Sequence, residues 1–465
     1  MEYFGKVHAW DSIRIHFLMF KIILKIDLDF FIFNDFVLTQ YWTIFPAVTL
    51  ATGNPLRGQN ESSHERLSCG PTRNSIRALS TATAEQHTTG KGAAPDTRPR
   101  LEQAGSMTTP FLVASIFLLG LSSLTTAANF TQVFESNEII DFEWPSEEIK
   151  SQVLEDGTFK PEHMYPIFMA VYGTRIFFSL YKIRPGTPVT LVSLPTSNAS
   201  SAPPKLTPFP SWDMHKTGDC NKIEEAKGLE VDSVGRLWVL DEGSYNCNCK
   251  IWTIDLIKND HHTKLIHRFS FLHSLHDLVL DETPNGTFAY IARRYDFNIV
   301  VFSLERNQSW IVDTPGKRVN SIALSPKNQE ARTLYLYEPF SKELNSISVA
   351  EVRKGTRTAN PKAIGNWSAE TYRMLMDNRG TIYATFWGRN FINSWNTSQP
   401  FEVQRFYEDA GLELDFDQFA FTFALDQSET LWMTVLDWNR QPKYRLLKAA
   451  VGAKSYIFEA SQVSE

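Results

Sequence analysis

His276 and Asp277 stand side by side, and an imidazole next to a carboxylate suits moving a proton, because the imidazole titrates near neutral pH. A second set of residues suits holding a flat ring. Tyr372, Phe386 and Trp387 supply an apolar slot, with Asp277 or Glu338 as the countercharge for a bound cation. Phe168, Asn320 and Thr422 fall at matching places in their own strand patterns and complete the candidate lining. The competing readings are structural: packing for Phe386 and Trp387, a turn or capping role for Asp277. Glu230, Asp277 and Asn320 are thin as a cation site, which needs more converging oxygen ligands, so no metal or other cofactor is expected. His261-His262 has no neighbouring ligand pair and reads as solvated. Gly-rich phosphate loops, a serine nucleophile elbow and a Cys-x-x-Cys pair are absent from the sequence, which argues against nucleotide hydrolysis, esterase and thioredoxin-like chemistry.

What positions these residues is a repeat. Gly235-Arg-Leu-Trp-Val-Leu-Asp-Glu-Gly243 returns as Gly380-Thr-Ile-Tyr-Ala-Thr-Phe386 and Glu429-Thr-Leu-Trp-Met-Thr-Val435. Weaker echoes are Gly173–Phe178, Thr287–Ile291 and Thr333–Tyr337. A turn feeding an aromatic, β-branched strand every forty to fifty residues or so is the mark of a β-propeller, whose blades bury their faces only against each other. The spacing predicts an all-β, six-bladed β-propeller with four-stranded blades over about 164–210, 222–270, 272–313, 316–366, 368–407 and 416–450. The last blade is one strand short, and Ile139–Trp144 is expected to join it and close the ring. Pro208-Phe-Pro210 suits a loop or an edge strand, and Ser146–Leu154, capped by Ser146, is the one helix expected.

The 465 residues carry a formal charge of -6 without charge runs, so neither nucleic acid nor an anionic membrane is an expected partner. Residues 1–106 read as a disordered or non-native extension. Residues 107–128 have the apolar run and small-residue end of a signal peptide, so Met107 is read as the true start and 129–465 as the secreted, extracellular propeller. Glycosylation sequons at Asn129, Asn198, Asn285, Asn307, Asn366 and Asn396 agree with export. Of Cys220, Cys247 and Cys249, one pair and one free thiol are expected. Cys247 and Cys249 are too close to bond easily to each other, and a Cys220–Cys247 bond would clip a long excursion beside one blade.

Several motifs resemble the yellow/major royal jelly protein family over about residues 138–450. They are Gly186-Thr-Pro-Val-Thr-Leu191, Pro210-Ser-Trp212 with Asp219-Cys220, Asp232 with Gly235–Gly243, Ala323-Leu-Ser-Pro326 and Ser394-Trp-Asn396. The resemblance implies a secreted six-bladed propeller and a Cys220–Cys247 disulfide. It implies a small aromatic amine or catechol derivative as the ligand of the central channel, with a link to melanin formation. Dopachrome conversion using His276 and Asp277, or a storage or cuticle role without a site, are the alternatives it carries. Ser394 replaces a cysteine of the family pattern, Arg293 stands where an aspartate is usual, and Phe168 and Thr422 stand where carboxylates are expected.

Overall fold

The recurrent stretch folds as it does because an aspartate ends the inner strand before it. Asp232 accepts hydrogen bonds from the Arg236 amide at 2.8 Å and the Trp238 indole at 2.9 Å. Asp426 serves the Thr430 amide and the Trp432 indole, both at 2.9 Å. Asp377 serves the Thr381 amide at 2.8 Å and the Tyr383 hydroxyl at 3.1 Å. One carboxylate thus closes the turn and satisfies the polar atom of a buried aromatic ring six residues later. In blade three Asp281 accepts from the Tyr290 hydroxyl at 2.7 Å, nine residues on, and in the fourth blade Ser325 Oγ takes the Thr333 amide at 2.9 Å. Asp426→Ala is expected to lower the unfolding free energy by about 2–3 kcal/mol, since the buried Trp432 N–H loses its acceptor. Denaturant unfolding checks this, and a loss below about 0.5 kcal/mol would contradict the role.

The computed structural model describes residues 128–459, apart from 138–140, 183–185, 198–203 and the single positions 259, 261, 295 and 442. The expected extension over 1–106 and the signal-like segment up to residue 127 lie outside the described residues, as does Asn198. Among the described residues, 24 strands form six four-stranded antiparallel sheets arranged as a six-bladed β-propeller. Strand β1 is Thr131–Ser136. Blade one holds β2–β5 (Pro166–Tyr172, Arg175–Leu180, Leu191–Pro195, Thr207–Pro208) and blade two β6–β9 (Ala226–Val231, Arg236–Asp241, Lys250–Asp255, Thr263–Arg268). Blade three holds β10–β13 (Leu275–Thr283, Gly286–Arg293, Asn298–Ser303, Gln308–Asp313). Blade four holds β14–β17 (Ser321–Leu324, Thr333–Tyr337, Glu343–Ser348, Lys362–Asn366). Blade five holds β18–β21 (Thr371–Met376, Thr381–Phe386, Phe391–Asn396, Gln404–Glu408) and blade six β22–β24 (Phe421–Leu425, Thr430–Leu436, Tyr444–Ala450). The innermost strands β2, β6, β10, β14 and β18 pack in sequence around the axis, β2 also against β22, and an Arg373–Phe423 carbonyl hydrogen bond ties β18 to β22.

The ring closes with an N-terminal strand, but eight residues earlier than the sequence suggested. Thr131–Ser136 pairs with β24, from Thr131 opposite Lys448 to Ser136 opposite Tyr444. Phe134 is the reason: it is buried with Trp432 and Leu446, with Val133 packed alongside and Ser136 also buried, whereas Thr131, Gln132 and Glu135 are polar and exposed. Of the expected segment Ile139–Trp144, the first two residues lie outside the described set. Phe142 instead bridges Leu206 on the outer edge of blade one, fully buried against Trp144, Phe159 and Trp212. Helix α1, Glu147–Glu155, follows with Ser146 accepting the Ile149 amide. A second short helix, α2 (Val349–Arg353), was not expected, and its two buried valines dock it onto blade four. Cys220 and Cys247 are disulfide-bonded and Cys249 is a buried free thiol, pushed well above the ordinary thiol range by burial. Among the described residues no helix is long and apolar enough to cross a membrane.

Candidate functional site

Four of the six inner strands begin with a β-bulge on the same face of the ring. The register slips between Pro166 and Phe168, Ala226 and Leu229, Leu275 and Leu278, and Thr371 and Arg373. A bulge adds a residue without a partner and re-aims side chains. The residues at these four bulges include Lys227, His276, Asp277 and Tyr372, with Phe168 and Arg373 on their borders. On the opposite face the C-terminal segment seals the axis. Tyr456 donates its amide to the Met376 carbonyl at 3.2 Å, and its hydroxyl accepts the Leu280 amide at 2.7 Å. Between the two ends lies a cavity of about 50 Å³, lined by Glu230, Asp277, Arg373, Phe423 and Tyr456 among others. That is room for a few waters. A ring-sized molecule does not fit in it, so the bulged face is the candidate site.

An aromatic wall stands there. Tyr372 stacks on Phe419 with centroids 4.5 Å apart and planes at 13°, and Trp387 meets Tyr372 edge-on at 4.8 Å. Tyr165 continues the wall, 5.3 Å from both Tyr181 and Trp438 and 5.8 Å from Phe419. Tyr165, Tyr181, Trp387 and Trp438 are half-buried, so the wall has solvent-reachable faces. Phe168 is fully buried below, with His276 edge-on at 5.1 Å and the Arg373 guanidinium 4.5 Å over its ring.

Cations and carboxylates stand together beside the wall. Lys227 is buried, 2.6 Å from Glu225 and 3.0 Å from Glu242, with its ammonium 4.8 Å above the Tyr181 ring. Burial opposes its charge, but the two glutamates prevail and hold it protonated. Arg294 donates to the Tyr181 hydroxyl at 3.3 Å, and Lys182 is half-buried next to them in sequence. Burial pushes the Glu230 carboxyl up to about 8, and Asp277 is raised for the same cause. The His276 imidazole is held neutral by burial and by the nearby cations Arg294 and Lys227. Its Nδ1 lies 2.8 Å from the Asn320 carbonyl, which only accepts, so Nδ1 carries the proton and Nε2 is left as an acceptor.

His276 and Asp277 come together in chain position but not in chemistry. Asp277 accepts from the Leu278 amide at 3.0 Å, the Ser321 hydroxyl at 2.7 Å and the Ile322 amide at 3.3 Å, so it staples blade three to blade four. Ser321 in turn accepts the Met374 amide at 3.0 Å, extending the staple to blade five. Tyr372 and Trp387 are in the wall. Thr422 donates to the Pro166 carbonyl at 3.0 Å and joins blade six to blade one. Asn320 is buried at the entry of β14 with its side-chain oxygen unpartnered. Phe386 is buried between Trp367 and Phe391, 6.0 and 5.3 Å away, and is blade packing. Glu338 is 3.5 Å from Lys317, which also pairs with Glu343. Reasoning from sequence missed Lys227, Arg373, Arg294, Tyr165, Tyr181, Phe419 and Trp438. The available signal was a charge inside an otherwise apolar inner strand, as in Ala226-Lys-Gly-Leu229 and Tyr372-Arg-Met-Leu-Met376.

The family described as "Major royal jelly protein" matches residues 226–321 and 314–433. Proteins named "Protein yellow" match as well. The relative from Drosophila madeirensis is 24% identical over 375 residues, covering 70% of this chain and 64% of that protein. The chain belongs to the yellow/major royal jelly protein family. Other yellow relatives are those of Drosophila guanche, 25% identical over 63% of this chain and 59% of that protein, and Drosophila melanogaster, 24% identical over 68% and 66%. This yellow-family chain thus spans just under two thirds of its relatives' length. Among solved structures, a putative gluconolactonase is similar at a TM-score of 0.43 and 10% identity, covering 71% of this chain and 94% of that one. A likeness that loose carries no functional argument.

Proposed function

We propose that this yellow-family protein is secreted and binds a small flat aromatic ligand, of the catechol or aromatic-amine class, at the bulged face of its channel. A place among catechol-derived pigment reactions belongs to the same reading. The observation that carries it is the aromatic wall in which buried Tyr372 stacks on buried Phe419 at 4.5 Å, while half-buried Trp387, edge-on to Tyr372, and its neighbours Tyr165, Tyr181 and Trp438 keep faces open to a ligand. Rings arranged this way offer a further ring both face and edge contacts. His276 Nε2, limited to accepting, suits a phenolic hydroxyl. Binding is favoured over dopachrome conversion because His276 and Asp277 are each committed to other partners. Export is supported by the signal-like segment 107–128, by the exposure of Asn129, Asn285, Asn307 and Asn366, and by the Cys220–Cys247 bond.

Calorimetry with 4-methylcatechol, a neutral ring, tests this reading. Saturable binding is expected, weakened about tenfold in Trp387→Ala, the scale of one lost aromatic contact. Absence of heat at concentrations that suffice for micromolar affinity would refute it.

A further inference from the structure

We propose, resting on the binding reading above for the ring's seat, that Lys182 is a nucleophile that captures an aromatic aldehyde as a Schiff base at the edge of the wall. Three lysines and four carboxylates meet between blades one and two, and their pairing is unequal. Lys227 lies 2.6 Å from Glu225 and 3.0 Å from Glu242. Lys250 lies 2.7 Å from Glu224 and 3.5 Å from Asp241. Both lysines are buried ammonium ions fixed by carboxylates. Lys182 is half-buried, and among the described residues no carboxylate comes within ion-pair distance of it. Its Nζ hydrogen-bonds the Thr217 hydroxyl. Thr217 stands in the connection from blade one to blade two, which the Cys220–Cys247 bond and the Gly218 amide on Glu224 hold in place.

An amine attacks a carbonyl only with its lone pair free, so loss of the ammonium proton is what a Schiff-base lysine needs. Burial lowers the Lys182 amine below the ordinary lysine range, against the charges of Glu225, Glu224 and Asp241, and the Lys227 ammonium adds to the fall. Lys227, by contrast, is held protonated by its two glutamates. The amine also stands beside a seat for a ring. Tyr181 precedes it in the chain, with Tyr165 5.3 Å away and the Lys227 ammonium 4.8 Å above the Tyr181 ring. Lys182 and the Tyr181 ring thus share the Lys227–Glu225 pair as a neighbour. A ring on the open faces of Tyr181 and Tyr165 brings a formyl substituent to the amine. The Nζ lone pair forms the C–N bond, and the carbonyl oxygen leaves as water with the two amine hydrogens. The step consumes no oxidant or reductant, and the Thr217 hydroxyl is placed to relay a proton.

Reductive trapping in the intact protein tests this: benzaldehyde with cyanoborohydride at neutral pH, followed by peptide mapping. The reduced adduct should form on Lys182 at least about tenfold faster than on the other lysines, the scale of a tenfold larger free-amine fraction. With acetaldehyde, which has no ring, that preference should fall about threefold, within what an aromatic contact contributes. Excess 4-methylcatechol should suppress the benzaldehyde adduct. Lys182→Arg, a change that keeps a cation at a half-exposed position, should abolish it while 4-methylcatechol still binds. Trapping spread evenly over the lysines, or a total rate unchanged in Lys182→Arg, would overturn the inference and leave the binding reading standing. A Lys182 adduct formed equally fast from both aldehydes and indifferent to 4-methylcatechol would overturn the aromatic assignment. Calorimetric silence with 4-methylcatechol in that case would overturn the binding reading as well.

Discussion

Lys250→Met should lower the unfolding free energy by about 3–5 kcal/mol, as breaking a buried ion pair from one side does. Lys250 is completely buried, its ammonium 2.7 Å from Glu224 and 3.5 Å from Asp241, both equally buried. Asp241 keeps other donors after the change: the Glu224, Glu225 and Gly243 amides and the Trp252 indole, at 3.0–3.1 Å. Glu224 keeps only the Gly218 amide at 2.7 Å among the bonds seen here. The cost therefore falls on Glu224, whose second oxygen is stranded in a low-dielectric site. Adding Glu224→Leu to Lys250→Met should recover most of the loss, because replacing both partners removes the stranded charge. Guanidinium titrations of the two variants decide it. A single variant as stable as the parent, or a double variant no better than the single, would contradict the pairing.

Removing Thr131–Ser136 should cost at least about 4 kcal/mol and leave the product self-associating. The stability term comes from Phe134, whose burial against Trp432 and Leu446 is of the kind that costs about 3–5 kcal/mol to delete. The association term comes from β24, which pairs with β1 over Thr131 to Ser136 and would become a bare edge. Light scattering after size exclusion, with thermal unfolding alongside, reads both. A monodisperse product with an unchanged midpoint would show that closure does not depend on this strand.

Architecture was legible in the sequence because the same local device is repeated. An aspartate, a tight turn and a ring six residues later recur in three blades with little change, so period and blade count could be read from them. The closing strand was harder. Thr131–Ser136 buries little besides Phe134 and Ser136, so it lacks an apolar run, while Ile139–Trp144 has one and uses it on the outside of blade one. The candidate lining was legible in part. Tyr372, His276 and Phe168 stand at inner-strand entries, and Trp387 at the end of a second strand, on the face where the sequence placed them. Phe386 was misplaced because one step along a strand turns a side chain to the other face. Arg373 and Lys227 were overlooked because bulges, which no local sequence pattern specifies, decide that they reach the mouth.

The most direct test of the site itself is a crystal structure of the protein soaked with 4-methylcatechol. The expected result is a ring against Tyr372 and Trp387, with centroids about 4.5–7 Å apart as aromatic pairs prefer. A ring bound on the outer strands or against the C-terminal segment, with the wall left bare, would contradict the placement of function at the bulged face.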